Sequence, residues 1–155
     1  IQLREPDFAG RAIELIHSAG ANPAHIRFEL TESAIVDNPE RARQTLATLK
    51  NEGIGLMIDD FGTGFSSFTY LHQLPIDTIK IAREFVESAQ ESENSRAIIR
   101  SIISVAHDIG GNALAEGVET AEQFELLLDA GCDYFQGYYF GRPKITDDLS
   151  ALTSG

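Results

Sequence analysis

Cysteine is almost missing from this chain: Cys132 is the single one among 155 residues, methionine also occurs once, and there is no tryptophan. One thiol excludes an internal disulfide framework and a cysteine-built zinc site. No apolar run approaches the roughly 20 residues that a membrane span needs. The opening Ile1-Gln2-Leu3-Arg4-Glu5-Pro6 is no signal peptide, and the absence of an initial Met leads to the expectation of a cut or processed segment. Basic residues are scarce, 12 Lys and Arg against 24 Asp and Glu, for a formal net charge of −12. A body that acidic repels a nucleic-acid backbone, so general nucleic-acid binding is not expected. The same carboxylates can simply solvate the surface, or they can gather around divalent cations, which reverse the local sign and admit a phosphate.

What the chain has is a 43% hydrophobic composition, ordinary for one globular domain. No linker rich in Pro, Gly or Ser divides it, and short apolar strands alternate with longer amphipathic stretches. Helical spacing is legible from Pro6 to Ala19, from Pro39 to Gly53 and from Ser95 to Ile109, with a short helix from Ser66 to Gln73. Thr120-Ala121-Glu122-Gln123 is a capping box that opens a helix running to Gly131. Strands are expected at Ile26–Thr31, Ile54–Asp59, Thr78–Ala82, Asn112–Glu116 and Asp133–Gln136. Strand and helix in alternation imply parallel pairing through right-handed crossovers, either in an open doubly wound sheet or in a (β/α)8 barrel.

The strand ends decide between them. Their nearest polar residues are Glu29, Asp59 with Asp60, Lys80, Glu116 and Gln136, which parallel strands deliver to one rim. Arg27, Glu29 and Thr31 share one strand face and Ile26, Phe28 and Leu30 the other, as for a polar interior and an apolar, helix-covered exterior. Barrels take catalytic groups from several strand ends in this way, and no G-x-G-x-x-G supports a dinucleotide fold. Four carboxylates and a lysine form a hard, oxygen-rich site suited to Mg²⁺ or Mn²⁺. Singly, each residue has a plainer explanation: Glu29 and Glu32 as helix caps, Asp59-Asp60 as turn residues, Glu116 and Glu119 as complements to a helix dipole, Lys80 as a snorkelling side chain. Five consecutive polar strand ends argue for the collective reading. His17, His25, His72 and His107 show no ligand spacing, Cys132 reads as a small buried hydrophobe, and Tyr138, Tyr139 and Phe140 can stack on a base or pack at the rim.

Five motifs carry a family resemblance: Glu29-Leu30-Thr31-Glu32-Ser33; Asp59-Asp60-Phe61-Gly62-Thr63-Gly64-Phe65-Ser66-Ser67; Leu74-Pro75-Ile76-Asp77-Thr78-Ile79-Lys80-Ile81; Ala115-Glu116-Gly117-Val118-Glu119-Thr120; and Gln136-Gly137-Tyr138-Tyr139-Phe140-Gly141-Arg142-Pro143. In this order they resemble the EAL domain of bacterial cyclic di-GMP phosphodiesterases. The resemblance implies an α/β fold, an incomplete (β/α)8 TIM-like barrel of the EAL type, with about five βα units present and the N-terminal units missing. Residues 1–155 would then be the C-terminal portion of such a domain. It implies metal ligation by Glu29, Asp59, Asp60 and Glu116 in a two-metal site for Mg²⁺ or Mn²⁺, a Lys80 that helps hold the attacking water or the phosphate, Glu116 in the water network, and Gln136 near the ligand. Glu32 would anchor the loop after Asp60, through which the family couples a homodimer interface to activity, and Glu119 would give outer support. The implied reaction converts cyclic di-GMP to linear 5′-pGpG, with metal-activated water as the nucleophile.

Three departures shape the expectation. The Glu-Ala-Leu signature and the family's N-terminal asparagine ligand are absent, and Lys80-Ile81-Ala82 stands where Lys-Ile-Asp is usual. The isolated chain is therefore expected to be inactive, with a non-catalytic cyclic di-GMP receptor as the alternative. The resemblance also implies sensory or diguanylate-cyclase-like domains in the parent protein and a bacterial cytoplasmic location, with a membrane tether elsewhere in the parent left open.

Overall fold

A computed structural model of the chain describes residues 5, 7–31, 38–62 and 71–143. In chain order the elements are α1 (Phe8–Ser18), a 3₁₀ turn (Pro23–His25), β1 (Arg27–Thr31), α2 (Pro39–Asn51), β2 (Gly55–Phe61), β3 (Thr78–Ile81), α3 (Arg83–Ser88), α4 (Glu93–Asp108), β4 (Asn112–Ala115), α5 (Ala121–Asp129) and β5 (Tyr134–Phe135). Local chemistry sets most boundaries. Asn38 accepts from the Arg41 amide ahead of Pro39, which starts α2. Ser92 accepts from the Ser95 amide to start α4. Thr120 and Gln123 close both halves of the capping box of α5. The 3₁₀ turn, capped by Asn22, and the six-residue α3 are additions to the elements expected from periodicity. The expected helix over 66–73 lies mostly outside the described residues.

All five strands are parallel, in the order β1-β2-β3-β4-β5. Among the described residues the strand order never reverses and there is no switch point of the doubly wound kind; sequential order is that of a barrel wall. The helix-covered face carries Leu30, Leu56, Ile58, Ile79, Ile81, Ala113 and Ala115, all essentially without solvent exposure. These pack with Leu46 and Leu49 of α2 and with Ile99, Ile102 and Ile103 of α4 in a single core. The opposite face lines an open cavity of about 630 Å³ with Arg27, Gly55, Met57, Thr78, Leu114 and Gln136 on its walls. Among the described residues no helix is long and apolar enough to cross a membrane.

Two aspartates latch neighbouring strands at their starting ends. Asp77, just before β3, accepts the Leu56 amide at 2.9 Å and pairs with Lys50 at the end of α2. Asp133, just before β5, accepts the Ala113 amide at 2.8 Å and pairs with His107 at the end of α4 at 2.9 Å. Burial pushes the Asp133 carboxyl up, but the Ala113 amide and His107 outweigh it and hold it below its ordinary value. Cys132 is buried beside this latch, where desolvation pushes its thiol up to about 11; it is an inert packing residue, as its sequence context indicates.

Candidate metal centre

Lys80 is the hub of the rim. Its position in the middle of β3 leaves the side chain 6% exposed, with Nζ 2.7 Å from Glu116, 2.8 Å from Asp59 and 3.1 Å from Glu29. Burial works against the ammonium, but hydrogen bonds to Asp59, Glu116 and Glu29 outweigh it, and its pKa is raised above the ordinary lysine value. Lys80 is thus a permanent cation near neutral pH.

A regular strand would send Asp59 and Asp60 to opposite faces. Here the register between β2 and β3 shifts between Ile58 and Phe61: Ile58 pairs with Ile79 and Phe61 with Ile81, so two residues of β2 oppose Lys80 alone. Asp60 adopts the left-handed region (φ 51°), which an aspartate tolerates better than most residues. The bulge keeps Ile58 and Phe61 in the core while both carboxylates stay at the rim. Ligand oxygens of Asp59, Asp60 and Glu116 then lie within 4.8 Å of one another.

Three of the four expected metal ligands therefore converge, and the fourth, Glu29, joins them through Lys80. The group fits a divalent cation on its own chemistry. The donors are hard carboxylate oxygens, without histidine or cysteine, as Mg²⁺ or Mn²⁺ prefers. Four carboxylates around one ammonium also leave excess negative charge for cations to neutralise.

The loop from Glu116 to Glu119 is pinned on both sides. The Glu116 amide donates to Ile81 at 3.2 Å, and the Val118 amide donates to Gln136 at 3.0 Å. Gly137 packs so closely on Val118 that an added Cβ would stand 2.0 Å from the Val118 carbonyl oxygen. Gln136 lies at the end of β5 on the cavity wall, exposed, so it belongs to the open face but not to the carboxylate cluster. The Glu119 carboxylate pairs with Arg83 at 2.8 Å, outside the cluster. Periodicity and motif reading passed over Arg83, whose partner is 36 residues away. Glu32 and the residues from 63 to 70, which include most of the loop after Asp60, lie outside the described residues. Tyr139 and Phe140 pack on Phe124, stacked at 5.8 Å and edge-on at 5.7 Å, and the Arg142 guanidinium sits 5.2 Å from the centre of the Tyr138 ring. This is the rim packing that the sequence allowed for.

Known proteins share this fold. The PaMucR phosphodiesterase, solved as a c-di-GMP complex, superposes with a TM-score of 0.89 at 32% identity over 96% of this chain and 60% of its own. Klebsiella pneumoniae BlrP1, solved with manganese and cyclic di-GMP, gives 0.79 at 34% identity over 90% of this chain and 36% of its own. The Escherichia coli oxygen sensor protein DosP is 32% identical over 154 residues, 99% of this chain and 19% of DosP. The chain spans about a fifth of the length of the curated relatives it matches. The EAL domain model matches residues 1–143, and with the parallel, sequentially ordered sheet and the carboxylate rim this leaves one assignment: the chain belongs to the EAL domain family.

Proposed function

We propose that the intact domain containing this chain is a metal-dependent phosphodiesterase that hydrolyses cyclic di-GMP to linear 5′-pGpG. The observation that carries the reading is the convergence of Asp59, Asp60 and Glu116 within 4.8 Å, with Lys80 hydrogen-bonded to two of them. Solved relatives holding cyclic di-GMP, one of them with manganese, support it. Asp59, Asp60, Glu116 and Glu29 would hold Mg²⁺ or Mn²⁺, which supplies a water acidic enough to attack at neutral pH and neutralises phosphoryl charge. The attack forms one phosphorus–oxygen bond and breaks the bond to the 3′ oxygen, which leaves with a proton. Lys80 is charged and holds the same carboxylates in place, and by releasing the longest of its three hydrogen bonds, the one to the exposed Glu29, it would free a donor for the water or a phosphoryl oxygen. Gln136, exposed just after β5, would meet the ligand beside the carboxylates.

In this reading residues 1–155 form the C-terminal portion of the domain and do not turn over cyclic di-GMP by themselves. The parent carries sensory or diguanylate-cyclase-like domains, acts as a homodimer through the loop after Asp60, and works in the cytoplasm. Incubation of the full-length protein with cyclic di-GMP and Mn²⁺, followed by ion-exchange chromatography, tests the reading. Chelator-sensitive formation of 5′-pGpG is expected, with its loss in Asp59→Asn; turnover by the 155-residue chain alone would refute its proposed dependence on the intact domain.

Ala82 favours a second reading. It stands at the start of α3 without a side-chain cap, where the family usually has aspartate after Lys-Ile. A receptor would bind cyclic di-GMP and yield no product under the same assay.

A further inference from the structure

We infer that Arg83 is a positioning residue for the Glu116 carboxylate, acting through the loop from Gly117 to Glu119; the inference rests on the hydrolytic reading above. Arg83 stands three residues after Lys80 and reaches across to the loop that follows β4. Its stem covers Gly117 so closely that a Cβ there would lie 2.4 Å from the Arg83 Cγ and 2.9 Å from its Cδ. Beyond the stem, Nη2 donates to Glu119 at 2.8 Å and Nε to Glu87 of its own helix.

The loop's other fixings show what Arg83 adds. Upstream, the Glu116 amide is held by Ile81; downstream, the Val118 amide is held by Gln136, and the Val118 carbonyl accepts from Tyr139. Between these points lies Gly117 in the left-handed region (φ 68°), the residue with the most backbone freedom. Arg83 clamps that joint from the β3 side, and the joint is adjacent to the carboxylate that meets Lys80 at 2.7 Å. An exposed ion pair of this kind adds little stability, so its main consequence is geometric. A lysine would not substitute, because the planar fork engages Glu87 and Glu119 through two separate nitrogens.

The test uses full-length protein with Arg83→Met, which keeps the stem and loses the fork, with Arg83→Ala and Glu119→Gln, and with the Arg83→Met/Glu119→Gln pair. Calorimetric Mn²⁺ affinity, kcat, KM for cyclic di-GMP and melting temperature are measured on each. Arg83→Met and Glu119→Gln should each weaken Mn²⁺ binding and lower kcat roughly tenfold, the scale of losing an outer-shell support. KM should stay within about twofold, and the pair should be no worse than either single change because both break one link. Arg83→Ala should be at least as severe as Arg83→Met. Unchanged Mn²⁺ affinity and kcat in Arg83→Ala overturn the inference, as does a loss that only tracks melting temperature or appears only in KM. A wild-type protein that neither binds Mn²⁺ nor cleaves cyclic di-GMP sinks the hydrolytic reading and this inference together, a pattern distinct from an active wild type with indifferent Arg83 variants.

Discussion

Lys80→Met isolates the electrostatics of the rim. Methionine keeps an unbranched stem of similar length and removes the ammonium, leaving Asp59, Glu116 and Glu29 facing one another. A hydrogen bond to a charged group contributes about 1.5–3 kcal/mol net. Glu29 is 52% exposed and is discounted as solvent-screened. Asp59 and Glu116, 26% and 22% exposed, count at the lower end because water still reaches them. Two bonds at about 1.5 kcal/mol each give a loss of about 3 kcal/mol in metal-free protein. For a domain of this size that is a fall in melting temperature of about 6–12 °C. Because the Lys80 pKa is raised, its contribution is fully present below the ordinary lysine value of 10.5 and is lost only as pH rises through the higher folded-state value. The deficit should therefore be constant between neutrality and about pH 10, and saturating Mn²⁺ should shrink it by replacing the missing positive charge. Thermal unfolding with and without Mn²⁺ measures this. A variant as stable as wild type without metal, or a deficit that Mn²⁺ leaves untouched, would falsify the picture of one shared carboxylate cage.

Other perturbations probe separate parts of the structure. Asp133→Ala should cost about 1–2 kcal/mol at neutral pH by freeing the Ala113 amide and His107. The Asp133 carboxyl pKa is lowered, so this stabilisation exists above its ordinary value of 3.8 and fades as pH falls through the lower folded-state value; chemical unfolding between pH 7 and 2 should show the gap closing. Gly137→Ala should cost about 3 kcal/mol or more, since the new methyl meets Val118 backbone, and should displace the Glu116 loop enough to abolish product formation in the chromatographic assay. Ala82→Asp returns a carboxylate to the start of α3; an enzyme should gain about tenfold or more in kcat, whereas a receptor should gain nothing.

Much of this was legible in the residues because it rests on short-range physics. Strict alternation at β1, the capping box at Thr120 and Gln123, and the helix start at Pro39 depend on neighbours a few positions apart, and all appear in the fold. Polar strand ends at one rim followed from parallel pairing alone. What the pattern did not carry depends on partners distant in the chain. The bulge at Asp59-Asp60 exists only in the pairing of β2 with β3, and alternation taken alone would separate the two carboxylates. Arg83 finds Glu119 36 residues away, and α3 is too short for periodicity to announce. Asn22-Pro23 was a usable turn signal for the 3₁₀ segment, since the Asn22 side chain caps it.

The Asp77 and Asp133 latches belong to the pole of the sheet where strands begin, whereas the ammonium and its carboxylates occupy the pole where they finish. The aspartate latches are thereby lodged about a strand's length from the chemistry, on the order of 13 Å for four residues. Changes at the finishing pole, Ala82 among them, leave the fastening at the other intact. A rim change that spares the Lys80 hub and the Gly137 contact can therefore alter the chemistry while both latches stay shut.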